Sequence, residues 1–443
     1  MIEVTIQQMA LFIYIENFHE NDIKTIWKGQ EINPGFGGTT FQQLRLYEEL
    51  KSCNIENLYL VCDKSENTIW NGNHLFGIND LHSIEDDLLK SSTLIINSGG
   101  MQRNLKALSL LVPRLNKAIC WIHHPHDRNK VKLAMHLKLE IVSCGIYQYY
   151  SNRIIGGKHC YIHNYFYSES VIKKSQEDLS KIFQAEFKTM NNTIHIGYWG
   201  ALVSSKGFHL VARYWQKITE ICRKENMYCK LHVIGSDFYE GNLYRNTDIP
   251  TSDEYAKTIM ENFSRLTIPQ NIKFYGTVEN PYSLAKHFDI CFVNPSGIGE
   301  AASQTVIELF ALGVPVITSN RYGMSDYINF TDFLCIKTHN DIPKVFKMFL
   351  RTKDLAQYKC SLILISKLYS SYKELSTIKW LTLSHRRKDQ LLSFSPGTTF
   401  RIHISIIYTH YMLVFLDLRS NLLKPIKSYL NKLKVLAVSY LRS

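Results

Sequence analysis

Apolar runs of strand length alternate with stretches of helical period along most of this chain, and they do so in two series. The first series offers Ala10–Ile15, Leu58–Cys62, Thr93–Ile96, Ala118–Ile122 and a weaker strand over Gly145–Tyr150. The second offers Thr193–Tyr198, Leu231–Ile234, Ile272–Phe274, Ile290–Val293 and Val314–Thr318. Helical stretches lie between them, for example Phe41–Leu50, where Phe41, Leu44 and Leu50 approximate one face. Continuous apolar strands separated by helices belong to parallel sheets covered on both faces. Two such series predict an α/β chain of two doubly wound domains facing a cleft, with ligands bound at the strand carboxyl ends. The polar stretch Ser168–Asn192 predicts the junction, so the domains are expected over 1–190 and 191–375.

Charge separates the end of the chain from its body. The 443 residues carry 51 Lys+Arg against 39 Asp+Glu, a net charge of +12. Residues 341–443 alone hold 18 basic and 5 acidic side chains, which leaves the first 340 residues close to neutral. A neutral body argues against a nucleic-acid binder, and a basic end is expected to meet something acidic. The ten cysteines form no C-x-x-C pair and many sit in apolar runs, so they read as reduced, buried thiols rather than a zinc site. With Glu3 and no basic residue before Lys24, no signal peptide is expected. No window approaches the ~18 uninterrupted apolar residues of a spanning helix.

The densest motif runs from Asn294-Pro295-Ser296-Gly297-Ile298-Gly299-Glu300 through Ala302, Ser303, Gln304 and Thr305 to Glu308 and Gly313-Val314-Pro315. A strand ends, a glycine turn follows, a helix is expected to begin near Ala302, and Gly313 closes it. Glu300 then stands just before the helix and Glu308 about two turns into it. A helix N-terminus offers unfilled N–H groups and a positive dipole end, which suit a diphosphate. Two flanking carboxylates suit hydroxyls on either side of it. On spacing alone, a surface helix with two unrelated glutamates fits equally well.

The stretch resembles the E-x7-E motif of retaining, metal-independent glycosyltransferases with the GT-B fold, the glycogen-synthase-like family 4 kind. Ala311-Leu312-Gly313-Val314-Pro315-Val316-Ile317 looks like that family's A-x-G-x-P-V-I continuation. The resemblance implies that Glu300 contacts the donor sugar and Glu308 the nucleotide ribose. Gly200-Ala201-Leu202-Val203-Ser204-Ser205-Lys206-Gly207 resembles the family's G-R-L-x-x-x-K-G loop, with Lys206 neutralising the leaving diphosphate and Ala201 standing where the family usually has Arg. The Gly-rich Asn33–Thr40 segment, with Gly37 and Gly38, resembles the loop that lets backbone approach the donor phosphate. In Trp121–Asp127, His123 or His124 fits the imidazole that approaches the donor sugar. Gly235 resembles the glycine turn near the donor base. Trp380 resembles the tryptophan where the chain returns to the first domain, implying a return helix over 376–392. One departure is that three residues, not two, separate Ser296 from Glu300.

The expected function is therefore a retaining glycosyltransferase that moves a sugar from a nucleotide diphosphate sugar to a glycan or lipid-linked glycan, in cell-surface polysaccharide synthesis. No cofactor or metal is expected beyond the donor. A nucleotide-sugar epimerase on the same scaffold and an inactive, membrane-tethered transferase-like scaffold are the rival readings. After Ser393 the α/β pattern stops. The tail 393–443 holds seven Lys+Arg and one acid, with Leu423, Ile426, Leu430 and Leu433 at helical spacing. It predicts a cytoplasmic protein held peripherally on the anionic inner face of a membrane.

Overall fold

The computed structural model describes residues 10–15, 38–55, 57–63, 69–70, 73–124, 128–165, 192–235, 257, 259, 261, 271–276, 278, 281–324, 334–352 and 355–385. The chain divides into two compact units. One runs to Tyr165 and adds the short loop Glu300–Ala302 and the segment from Ser371. The other comprises Phe166–Gly299 and Ser303–Ser370. The expected junction Ser168–Asn192, except its last residue, and the basic tail 393–443 lie outside the described residues.

The first unit is built on β1 (Leu11–Tyr14), α1 (Gly38–Ser52), β2 (Leu58–Cys62), the hairpin β3 (Ile69–Trp70) and β4 (Asn73–Gly77), and β5 (Thr93–Asn97). Helices α2 (Asp86–Ser91), α3 (Ser98–Arg103) and α4 (Leu105–Leu111), then β6 (Lys117–Ile122), α5 (Arg128–His136), β7 (Glu140–Ser143), α6 (Ile146–Arg153) and β8 (His159–Tyr161), complete it. The sheet order is β3-β4-β2-β1-β5-β6-β7-β8, parallel except for the β3–β4 hairpin. Every described residue of β1 and β5 is buried, as strands covered on both faces require.

The weaker strand expected over Gly145–Tyr150 is helix α6 instead, and the strand of this region is β7, a few residues earlier. The side chains that α6 turns inward are polar and four residues apart, Gln148 and Asn152. Gln148 Oε1 accepts from Cys144 N (3.0 Å) while its Nε2 donates to the His124 carbonyl (2.8 Å). Asn152 Nδ2 donates to Ser143 Oγ (3.2 Å). Satisfied buried amides thus fix a helical period that a search for apolar residues does not register.

The second unit holds β9 (Thr193–Trp199), α7 (Phe208–Lys224), β10 (Tyr228–Ile234), β11 (Ile272–Gly276), α8 (Pro281–Ala285), β12 (Ile290–Phe292), α9 (Gln304–Ala311), β13 (Val316–Ser319), β14 (Cys335–Ile336) and α10 (Ile342–Leu350). Its sheet order is β11-β10-β9-β12-β13-β14, and every pairing is parallel. All five strands expected in this half are present, and β14 is added. Phe208, Trp215 and Ile218 from α7 pack with Phe346 and Phe349 from α10 in one core cluster.

A single helix of 31 residues, α11 (Leu355–His385), begins in the second unit and ends in the first. Its later half is tied to the first sheet. Lys373 Nζ pairs with Glu49 (2.8 Å), Thr377 Oγ1 lies 3.2 Å from Tyr165 Oη, and the Ser384 carbonyl accepts from Thr93 Oγ1 (2.9 Å). Trp380 is buried edge-on to Trp121, with ring centroids 4.8 Å apart. Its indole N–H makes no hydrogen bond, so its contribution is packing. Trp380→Ala should cost about 3–5 kcal/mol in denaturant unfolding, whereas Trp380→Phe, which forfeits no hydrogen bond, should cost less than half as much.

Candidate functional site

In an open α/β sheet the crevice lies where the strand order reverses direction, outside the carboxyl ends of the two central strands. In the second unit that place is β9 beside β12. The loop after β9 carries Lys206, and the loop after β12 carries the Asn294–Ser303 motif. The two loops that the sequence singles out therefore leave the sheet side by side.

Close backbone contacts lock them together. Gly200 N donates to the Ile234 carbonyl (3.0 Å), and a Cβ at Gly235 would lie 2.1 Å from the Gly200 carbonyl oxygen. Beneath the loop, the Tyr198 hydroxyl reaches the carbonyls of Ala201 (3.2 Å) and Lys206 (3.3 Å). A 3₁₀ turn, Ser204–Lys206, leads through Gly207 at φ +78° into α7. A Cβ at Gly207 would stand 2.6 Å from the Ser296 backbone nitrogen. Ser296 Oγ donates to the Ser205 carbonyl and accepts from Ile298 N (3.1 Å). Asn294 Oδ1 accepts from Gly297 N (3.0 Å), and Asn294 Nδ2 donates to the Ile298 carbonyl (3.3 Å). Gly297, at φ +74°, passes so near Ser319 that a Cβ would lie 1.9 Å from its Oγ. Asn294 and Ser296 thus shape the turn before Glu300, which the sequence motif marks only as loop.

Helix α9 begins at Gln304, two residues later than expected, with Ser303 as N-cap. Ser303 makes no side-chain capping bond. The first N–H groups of any helix lack intrahelical acceptors, so those of Gln304 and Thr305 are oriented to meet an anion. Ala302 lies just outside the helix. The late start also corrects the position of Glu308: it is the fifth residue of α9, little more than one turn in.

Glu308 is buried. It accepts from Gln304 Nε2 (2.7 Å) and from the Tyr282 hydroxyl (3.1 Å). Burial pushes its carboxyl up to about 7, against the opposing pull of those two hydrogen bonds. Tyr282 in turn meets Trp199 at the end of β9, edge to face at 5.7 Å. Tyr282 lies 26 residues from Glu308, and nothing in the sequence pattern links them.

Glu300 and Ala302 group with the first unit, which also carries the remaining expected residues. His123, just past β6, is buried against Trp121 (4.4 Å between centroids), and its Nε2 has no hydrogen-bond partner. Burial first, and His124 second, push its imidazole down to about 3. His124 is exposed. Gly38 is the first residue of α1, which begins three residues before Phe41, and Gly37 lies outside the described residues.

Residues 180–356 match the family model described as glycosyl transferases group 1. No curated protein matches the chain by sequence. Among solved structures, HepE of Anabaena in complex with UDP-glucose superposes at a TM-score of 0.60 with 11% identity, covering 84% of this chain and 99% of its own. A glycosyltransferase from Rickettsia africae ESF-5 gives 0.59 with 13% identity, over 85% and 98%. WaaG, a glycosyltransferase involved in lipopolysaccharide biosynthesis, gives 0.54 with 11% identity, over 84% and 99%.

The raised carboxyl of Glu308 makes stability depend on pH. Between the unfolded value of 4.5 and about 7 the folded chain holds a proton that the unfolded chain has released. This stabilising contribution is complete below 4.5 and is lost as pH rises through 7. The shift corresponds to about 3 kcal/mol. Without nucleotide, the wild type should lose about that much stability relative to Glu308→Gln between pH 4.5 and pH 8, measured by denaturant unfolding at each pH.

Proposed function

We propose that this chain, whose residues 180–356 match the glycosyl transferases group 1 model and whose fold is GT-B, is a glycosyltransferase that moves a sugar with retention from a nucleotide diphosphate sugar onto a glycan or lipid-linked glycan. One observation carries the donor assignment. The Lys206 turn and the Asn294–Ile298 turn that leads to Glu300 are fixed to each other at the reversal point of one sheet.

Glu308 takes the ribose hydroxyls, and Glu300 takes those of the transferred sugar. Lys206 and the first N–H groups of α9 hold the diphosphate, with the Gly235 turn, packed against the Gly200 carbonyl, near the base. His123, whose buried ring stays neutral, is the imidazole assigned to the donor sugar; exposed His124 is not. The C1–O bond to the diphosphate breaks with its electron pair on the phosphate. The acceptor oxygen enters on the same face, and its proton passes to the departing phosphate. The charge that builds there is met by preorganised positive groups rather than by a strong base. UDP-glucose in HepE supports a nucleoside-diphosphate donor, and the role of WaaG in lipopolysaccharide biosynthesis supports a cell-surface glycan as product.

We place the enzyme on the cytoplasmic face of a membrane, held through the basic stretch 393–443. Among the described residues no helix is long and apolar enough to cross one.

Titration with a panel of nucleoside diphosphates, followed by NMR of the product anomer, tests the reading. An inverted anomer would end the retaining assignment. Lys206→Ala should lower turnover by about two to three orders of magnitude, and a near-normal rate would remove its phosphate role. Because Lys206 and the helix N–H groups supply the positive charge, a chelator should leave turnover intact. Loss of turnover in chelator, restored by a divalent ion, would contradict that division of roles.

A further inference from the structure

Three segments of the second unit converge where α7 and α10, which share one core cluster, begin. The Tyr214 hydroxyl of α7 donates to Asn340 Oδ1 (2.6 Å), in the 3₁₀ turn His339–Asp341 that leads into α10. Asn320 N donates to the Ile336 carbonyl (3.2 Å), so the chain leaves β13 and β14 side by side. Arg321 N donates to Ser319 Oγ (3.3 Å), and a Cβ at Gly297 would lie 2.7 Å from Arg321 Cβ. Each segment carries cations. His209 and Arg213 stand one turn apart on α7, Arg321 follows β13, and Lys337 and His339 follow β14.

These cations act on one another. Burial first, then Arg213 and His339, push the His209 imidazole down to about 4. Burial first, then Arg321 and Arg213, hold His339 below its ordinary value. Every charged group that shifts either ring is thus a cation. The carboxylate nearest in sequence, Asp341, is engaged in its own turn, accepting from Thr338 N (2.7 Å) and Thr338 Oγ1 (3.0 Å). Arg213 and Arg321 are exposed, and among the described residues neither guanidinium makes an ion pair. Like charges held together repel, and a bound anion relieves the repulsion.

None of these residues serves the donor reading above. Together they match a phosphate. Two guanidiniums carry the two positive charges that balance a phosphate monoester dianion, and each can donate two parallel N–H bonds to its oxygens. Two half-buried imidazoles add N–H donors beside them. We infer that His209, Arg213, Arg321 and His339 form a binding site for a phosphate monoester, separate from the donor diphosphate seat. A soluble phosphorylated molecule and the headgroup of phosphatidic acid present this same group, so the test carries an arm for each.

The full chain is treated with phenylglyoxal, which modifies exposed guanidiniums, and Arg213 and Arg321 are read by mass spectrometry. Inorganic phosphate and glycerol 3-phosphate are the soluble probes. Vesicles of phosphatidylcholine containing phosphatidic acid, against phosphatidylcholine alone, are the headgroup probe. At least one phosphate probe should shield both arginines, where chloride at equal ionic strength does not. Shielding by the soluble probes assigns a soluble ligand, and shielding by the phosphatidic acid vesicles alone assigns the headgroup. Both side chains are exposed, so substituting them leaves the core intact. Arg213→Gln should raise the amount of probe needed to shield Arg321 about tenfold or more, and Arg321→Gln should do the same for Arg213, as loss of a charge-assisted hydrogen bond requires. Shielding should persist when a nucleoside diphosphate saturates the donor seat. No shielding by any probe, or an unchanged requirement in both variants, would overturn the inference. So would full shielding by the nucleoside diphosphate alone, which would assign the arginines to the donor seat. Failure of every nucleoside diphosphate to bind would instead overturn the donor assignment, and the phosphate measurements, which require no nucleotide, would still decide this site.

Discussion

The donor loops depend on one backbone contact, where Gly207 passes the main-chain nitrogen of Ser296 with no space for a Cβ. The positive φ at Gly207 lets the chain leave the 3₁₀ turn and enter α7 while staying against the second loop. Ser296 then bonds to the Ser205 carbonyl, one residue before Lys206. The ammonium stem of Lys206 and the loop leading to Glu300 thus share one anchor. A lysine followed by glycine has a plain physical meaning here: one residue brings charge, and the other lets its loop come close enough for the charge to be held in place.

The same economy bears on Ala201. Where the resembling family has a guanidinium, this chain has a methyl group, and the loop still needs support. Tyr198 supplies it from below, its hydroxyl reaching the carbonyls of both Ala201 and Lys206. That support is structural and adds no positive charge. The proposed diphosphate seat therefore relies on Lys206 and on the start of α9, where Ser303 leaves the first turn without a side-chain cap. A capped helix would have to give up its serine bond before that N–H could donate to a phosphate. This one does not.

Much of this was legible in the sequence, for identifiable reasons. Both sheets announce themselves because buried parallel strands are continuous apolar runs, as in Leu58–Cys62, where expectation and structure coincide. The donor motif is legible because positive-φ glycines and a helix entry leave marks at fixed spacing. Other features are written in contacts between distant residues. Tyr282 and Glu308 meet across 26 residues, and the burial that raises the Glu308 carboxyl exists only once α8 and α9 are packed. The Gly145–Tyr150 segment misleads because α6 buries amides where an amphipathic helix would bury leucines. The start of α9 slips by two residues because Ala301 and Ala302 are good helix formers with no capping group of their own, and the serine that follows sets the boundary.

The two reversal points are built to the same rule and lined with opposite chemistry. At the second sheet the loops bring glycine, lysine and the start of a helix, which the proposed donor site sets against a diphosphate. At the first, where β1 lies beside β5, it is a buried phenol, Tyr14, bonded to a carboxylate, a guanidinium and an amide (Asp63, Arg103 and Asn104), a cluster whose opposite charges pair with each other. Residues 1–340 are close to neutral overall, so neither chemistry can come from a general field around the protein. Each has to be made locally, by groups whose positions are fixed. Gly207 and Gly100 are where that fixing is done, since each gives up its side chain so that a neighbouring group, the Ser296 turn or the Tyr14 ring, can take its position.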